Sequence, residues 1–347
     1  MSTVLILGAG ATAGVKGLPV DKDFLQRSIT LIRSFDFLPL ALELVYPQGW
    51  LKQRLEDAWS SIDSQFNNPL PISNALMGRI LMLFETKARD EAGLPAEVPR
   101  YYKKYWEDRI RDTQARSPAQ YLFLFAGWEL RQAICRAYGQ PIPGGEGKYR
   151  NFLSEYARRG PVSVIDFNYD VYLEQALDTG QWFYYPDVSP RRDAIENLKP
   201  HGSLNWIHRK VWEPDEEIVP TRDVYPTPSW GFGPEGFSQA SIIPMTRAKR
   251  EFTSEEESKT VRLRYGGIMR RCAEVLTQAQ VICIVGYSFP PGDVYFQDLL
   301  RNVRASRVAP PVSVKYIGRD GTVSEWTSTL REAFGIVDDP EILLNGF

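Results

Sequence analysis

Short runs of consecutive apolar residues alternate along this chain with longer stretches in which apolar positions recur every three or four residues. The first short run, V-L-I-L at 4–7, breaks at once into glycine. A second, at 162–167, sets Val162, Val164, Ile165 and Phe167 behind Gly160 and Pro161, and two more, at 281–285 and 312–317, end in Gly286 and Gly318. Brief β-branched runs bounded by glycine and proline predict buried strands. Behind the second run, Leu173, Ala176 and Leu177 fall on one face of a helix predicted over 171–177. Strands that end in polar or glycine turns, with helices between them, predict an α/β fold: a doubly wound, Rossmann-like parallel sheet.

The period changes after the first strand. Leu25, Ile29, Ile32, Leu51, Leu55, Trp59, Leu76, Ile80, Leu83 and Phe84 recur at helical steps, and 121–134 form another apolar helical stretch. This pattern predicts a large helical insertion at 28–159, so that the sheet domain is assembled from 1–27 and 160–347. The two prolines and three glycines of 140–148 mark the junction back to the sheet. Two later segments have no clear strand pattern. The Pro-, Gly- and Trp-rich stretch 212–239 reads as a lid, binding loop or partner surface. The charged stretch 245–271 reads as a helix with an ion-paired face.

Composition narrows the function classes. A formal charge of −2 and a pI near 5.9 provide no global attraction to nucleic acid or anionic membrane. The segment R-Y-Y-K-K-Y-W-E-D-R-I-R at 100–111 interleaves bases with aromatics as nucleic-acid surfaces do, but also fits a solvated helix whose aromatics face a core. Direct nucleic-acid binding is therefore not expected. The three cysteines stand far apart without a C-x-x-C pair, so neither a disulfide framework nor a zinc site is expected. No run approaches the length of a membrane span, and the apolar start lacks the basic flank of a signal peptide. The expectation is a cytoplasmic protein.

Candidate chemistry gathers at the predicted strand ends, where open α/β sheets bind ligands. Asn168 and Asp170 follow the second strand. Either they face a ligand or they cap the next helix, although no Glu or Gln completes a capping box. His201 lies between Pro200 and Gly202 in K-P-H-G-S, and the only other histidine is His208. His201 is thus either the chain's reactive imidazole or a hydrogen-bonded structural residue, whereas I-H-R-K gives His208 only the structural reading. The glycines of G-A-G-A-T-A-G, Gly8, Gly10 and Gly14, suit either a phosphate-cradling turn or a tight strand-to-helix turn without a ligand. The third glycine is one place late for G-x-G-x-x-G, and no acidic residue closes a second strand about twenty positions on.

Taken together and in order, G-A-G-A-T, G-L-P followed by Asp and Phe, F-N-Y-D, K-P-H-G-S and G-Y-S-F-P-P-G-D resemble the sirtuin-like domain. More narrowly, the chain is similar to the bacterial sirtuin-like proteins of antiphage defence that cleave NAD. The resemblance implies hydrolysis of NAD to nicotinamide and ADP-ribose, with NAD as the substrate and no metal. It puts Gly8, Ala9, Gly10 and Thr12 on the pyrophosphate, Asn168 and Asp170 by the nicotinamide ribose, His201 at the reacting ribose, and Gly286, Ser288 and Asp293 on the adenosine half. Asp23 joins the same binding set. It also implies restraint of the isolated chain by self-assembly into a homo-oligomer or by a partner such as a HerA-type DNA-translocating ATPase or an Argonaute-type protein. Two departures bear on this. The four-cysteine zinc module of the deacylases has no counterpart, and the usual Asp-Phe-Arg gives way to Asp21, Lys22, Asp23 and Phe24. The competing readings are a non-catalytic module that senses NAD or ADP-ribose, and a deacylase without the zinc module.

Overall fold

The computed structural model describes residues 2–11, 41, 122–123, 125–131 and 146–344, apart from 179, 188–192, 210–216, 221–231, 234–235, 238, 243–258, 290–292, 319–320 and 337. The chain divides into two compact units, Met1–Val20 with Tyr138–Phe347, and Asp21–Ala137. Most of the predicted insertion 28–159, the loop at 17–24 and the basic-aromatic segment 100–111 lie outside the described residues.

Seven strands of the first unit form one sheet: β1 (Thr3–Leu7), β2 (Val162–Asp166), β3 (Trp182–Tyr184), β4 (Ile195–Leu198), β10 (Val281–Val285), β11 (Ser313–Ile317) and β12 (Glu341–Leu343). Their order is β12-β11-β10-β1-β2-β4-β3, and every pairing is parallel. β1 is buried along its whole length, as a central strand covered on both faces must be, which is why it reads as an unbroken apolar run rather than an alternation.

The register assigns side chains to faces. Leu5, Val164, Asn197, Tyr184 and Cys283 share one face, with Ile6, Ile165, Leu198 and Ile284 on the other. On the first face, Leu5, Leu7, Val164 and Cys283 join one core with Tyr149 and Leu153 of helix α1 (Glu146–Ala157) and with Tyr172, Leu173 and Ala176 of α2 (Tyr172–Ala176). The second face carries α3 (Lys259–Gln278), α4 (Val294–Ser306) and α5 (Val323–Phe334). Arg271 of α3 bonds Glu196 at 2.8 Å, and Trp326 of α5 stacks on Tyr316 at 3.8 Å. A parallel sheet with helices on both faces is the doubly wound α/β arrangement that the strand pattern predicts.

The chain leaves β1 towards β2 on one side, while β10, β11 and β12 run out on the other. Strand order therefore reverses between β1 and β10, and the carboxyl ends of these two strands flank the crevice.

The region after His201 holds more structure than its composition predicts. β5 (Gly202–Arg209) pairs antiparallel with β6 (Glu217–Pro220) and β9 (Gln239–Ile242), and β7 (Phe232–Gly233) pairs with β8 (Gly236–Phe237). Among the described residues of 212–239, 217–220 and Gln239 thus belong to a three-stranded sheet with β5, and β7 and β8 form a separate pair. The pattern misses them because β9 lies some distance along the chain from β5, and the pairing rather than local periodicity stabilises the short strands. β5 begins at Gly202, whose φ of +76° and close approach to Ser241 leave no space for a side chain: a Cβ there would lie 2.0 Å from the Ser241 carbonyl oxygen. His208 is buried on this sheet, opposite Ile218 and Gln239.

Candidate active site

The turn that follows β2 is held from below. The Asn168 N–H donates to Asp166 Oδ1 and the Tyr172 N–H to Asp170 Oδ1, each at 3.0 Å. Asp170 therefore orders the approach to α2, whose cap position is taken by Val171 without a side-chain bond. Lys199, two residues before His201, is wholly buried beneath this turn. Its ammonium donates to the carbonyls of Asn168, at 3.1 Å, and of Asp170, and it pairs with Asp166 at 3.0 Å and Glu174 at 3.5 Å. Glu174 Oε1 also accepts from Tyr184, at 2.6 Å, and from Asn197, at 2.9 Å.

Burial pushes the Asp166 carboxyl up to about 7, against the opposing pull of Lys199 and with repulsion from Asp170 and Glu174 added. For Lys199, burial favours loss of the proton, but Asp166, Glu174 and Asp170 outweigh it and hold the amine protonated above its usual range. Both pKa values move up: for Asp166 burial and two like charges outweigh one ammonium, and for Lys199 several carboxylates outweigh burial. Among the described residues no group of His, Cys, Asp and Glu side chains is arranged to hold a metal ion; in this cluster the ammonium of Lys199 supplies the positive charge.

A carboxyl that binds its proton more tightly in the folded state than in the unfolded one makes the folded state lose stability as pH rises between the two pKa values. For Asp166 that window runs from 3.8 to about 7. Asp166→Asn removes the titration, so the stability difference between wild type and variant is expected to shift in the variant's favour across that window and level off above it. Urea midpoints measured at intervals from pH 4 to 8 check this, and parallel curves for the two proteins would refute it.

His201 lies on the other side of the turn, wholly buried. Its Nε2 is 3.4 Å from Asp293 Oδ2, and the Phe167 ring meets the imidazole edge-on at 4.9 Å. Tyr287 stacks on Phe167 at 4.4 Å and donates its hydroxyl to Asp293 Oδ2 at 2.8 Å. Burial and the Asp293 charge raise the Tyr287 hydroxyl well above its usual range, so it stays a donor. His201 and Asp293, expected at opposite ends of a ligand, thus form one pair.

At the switch point the glycines serve close backbone packing. Gly8 donates its N–H to Val285, Gly10 to Gly286 and Ala11 to Gly8, at 3.0, 2.9 and 2.8 Å. A Cβ on Gly8 would lie 2.5 Å from the Tyr287 Cα, and one on Gly10 2.8 Å from the Gly286 Cα. These contacts account for Gly8, Gly10 and Gly286 without a ligand, and they engage two of the amides expected on a pyrophosphate. Ala9 and Ser288 are exposed on the rim of the same crevice. Thr12, Gly14 and Asp23 lie outside the described residues.

The fold resembles Sir2 structures only distantly. A mutant Sir2 homologue in complex with ADP-ribose is 14% identical, with 74% of this chain and 81% of that chain covered at a TM-score of 0.39. A structure described as the basis for the mechanism and regulation of Sir2 enzymes is 11% identical, with 99% and 86% covered at a TM-score of 0.40. No protein-family model and no curated protein matches the chain. Both TM-scores lie below 0.5, so the functional reading rests on the chain's own residues.

Those residues combine an enclosed imidazole–carboxylate pair, a carboxamide on the adjacent turn and an open rim at the strand reversal. An imidazole beside a carboxylate can take and return a proton, and a carboxamide can both donate and accept. Lys199, Glu174 and Tyr287 are absent from the sequence-derived set. A lysine before Pro-His and a tyrosine after a strand-end glycine carry no local mark of burial; only the apolar setting of Glu174 within V-Y-L-E-Q-A-L hints that a charge is enclosed.

Proposed function

We propose that this chain hydrolyses NAD to nicotinamide and ADP-ribose, with depletion of NAD as an abortive-infection defence against phage. The observation that carries the reading is the His201–Asp293 pair, with the His201 ring against Phe167 and Tyr169, the two neighbours of Asn168 in the turn at the carboxyl end of β2, next to the glycine-lined switch point. The bond from the ribose C1′ to the nicotinamide nitrogen breaks, and its electron pair neutralises the cationic ring. An oxocarbenium-like ribose is left, as in glycoside cleavage. Water adds to C1′ and gives up a proton, which His201 takes and passes to solvent. With the other imidazole proton on Nε2 facing Asp293, Nδ1 carries the lone pair that accepts it. The Asn168 carboxamide holds a ribose hydroxyl or the water. Ala9 would face the pyrophosphate and Ser288 the adenosine half, both from the exposed rim.

The full burial of His201 supports an enzyme restrained in its free state, since a ribose reaches the imidazole only once its surroundings rearrange to expose it. Self-assembly, or a HerA-type ATPase or Argonaute-type partner, would supply the trigger. The same burial favours a second reading, a module that senses NAD or ADP-ribose without turnover.

One assay separates the readings: NAD is incubated with the protein, alone and in lysate from phage-infected cells, with and without an acyl-lysine peptide, and nicotinamide and ADP-ribose are quantified. Release without peptide is expected. Saturable NAD binding with no release in any condition means sensing, and release only with peptide means deacylation. Elemental analysis of the same sample is expected to find no stoichiometric zinc, because the buried thiols of Cys272 and Cys283 are raised by burial, Cys283 to about 11, and are poor ligands. Close to one zinc per chain would favour the deacylase.

A further inference from the structure

Lys199 joins the two motifs that carry the candidate chemistry. It is wholly buried, with its charge held by Asp166 at the end of β2 and Glu174 in α2. Its remaining donors reach the backbone carbonyls of Asn168 and Asp170, on either side of Tyr169 in the turn. Along the chain it stands two residues before His201, and the Gly202 N–H closes the Pro200–His201 bend by donating back to the Lys199 carbonyl at 3.0 Å. The Leu204 N–H donates to the Tyr169 carbonyl at 2.9 Å, so both ends of the His201 bend are tied to the same turn. A hydrophobic side chain of equal length would fill the space at Lys199 but make neither carbonyl bond. The need for a cation among three carboxylates explains the charge; it does not explain why two of the donors end on the turn that presents Asn168.

We propose that Lys199 is a positioning residue: through the carbonyls of Asn168 and Asp170 it fixes the Asn168 carboxamide relative to His201, and so sets the geometry in which the ribose and the attacking water meet. The inference rests on the NAD-cleavage reading for its kinetic consequence. Its structural half, that Lys199 immobilises the turn, stands apart from that reading. A small misplacement of a reacting group can lower turnover about a hundredfold without a matching loss of binding, because affinity comes from contacts made elsewhere on the ligand.

The test uses the full chain. Lys199→Met alone strands buried carboxylates, so the informative variant is Lys199→Met with Asp166→Asn, which removes both charges of the pair; neutral replacements of buried pairs are commonly tolerated. Lys199→Arg keeps the charge in a planar fork that cannot reproduce the ammonium's contacts, and it carries the same measurements if the double variant does not fold. Under the condition that activates the wild type, kcat for nicotinamide release is expected to fall about a hundredfold in the double variant and at least about tenfold in Lys199→Arg, with KM for NAD within about threefold of wild type. Wild-type kcat in a folded variant, or a loss confined to KM, overturns the proposal. Hydrogen exchange followed by mass spectrometry gives a readout independent of turnover: protection of the peptide across 167–172 should drop while that of 162–166 stays, and unchanged protection at 167–172 overturns it. A wild type that releases no nicotinamide under any condition removes the NAD reading but leaves this exchange result to judge the role of Lys199.

Discussion

His201→Ala is expected to lower nicotinamide release by about a hundredfold to ten-thousandfold, the range typical for loss of a general acid–base group. The fold should survive, because Asp293 keeps the Tyr287 hydroxyl as a donor when the imidazole is gone. Asn168→Ala should cost a comparable factor for a different reason. The bonds that shape its turn run through its backbone N–H and carbonyl, to Asp166 and from Lys199, so alanine retains both and only the carboxamide is lost. Neither substitution touches Ala9 or Ser288 on the rim, so NAD affinity should change little. His208→Ala is the control. It lies in the second sheet, away from Asp293, and should lower the melting temperature modestly while turnover holds. Nicotinamide release measured beside thermal melting decides the matter. If His201→Ala retains near wild-type turnover, or if activity falls only as far as the protein unfolds, the catalytic assignment is wrong.

Gly286→Ala should be among the most destabilising single-methyl additions in the described unit. The residue has a φ of +59°, and a Cβ there would stand 2.1 Å from the Ala11 nitrogen and 2.2 Å from the Gly10 carbonyl carbon. Both are backbone atoms of the neighbouring loop and cannot turn aside as a flexible side chain would. Left-handed geometry costs an alanine roughly 1–2 kcal/mol, and forcing a methyl group into a close-packed contact adds roughly 1–3 kcal/mol. A loss of about 2–5 kcal/mol is therefore expected, read as a lower urea midpoint at unchanged slope. Gly266→Ala should move the other way. That glycine is inside α3 with nothing within 4 Å of where its methyl group would stand, and alanine is the better helix former by about 1 kcal/mol. A wild-type midpoint for Gly286→Ala would mean that the β1 and β10 loops do not pack as closely as these distances require.

The elements that could be read from local pattern are those whose own residues carry the signal. β1, β2 and β10 are apolar on both faces and end at a glycine or a polar turn, so length, β-branching and punctuation suffice to place them to within a residue, and their alternation with helices implies the parallel, doubly wound arrangement. Asn168 and His201 could be singled out in the same way, because turn residues and a rare imidazole between Pro200 and Gly202 stand out locally. β3, β4 and the antiparallel strands around β5 could not. Ile195–Leu198 contains Glu196 and Asn197, which belong in a strand only because Arg271 and Glu174 meet them from helices far along the chain. The site was divided along the same line. The family resemblance nominated Asp293 for a ligand and left Lys199 and Tyr287 unmarked, whereas folding joins Asp293 to His201 and buries Lys199 under the Asn168 turn. Whether a charged side chain is enclosed depends on which opposite charges and carbonyls close around it, and those partners come from residues up to 92 positions away, as between His201 and Asp293. Periodicity reports which way a side chain points along its own element; it carries no information about what the rest of the chain will bring to meet it.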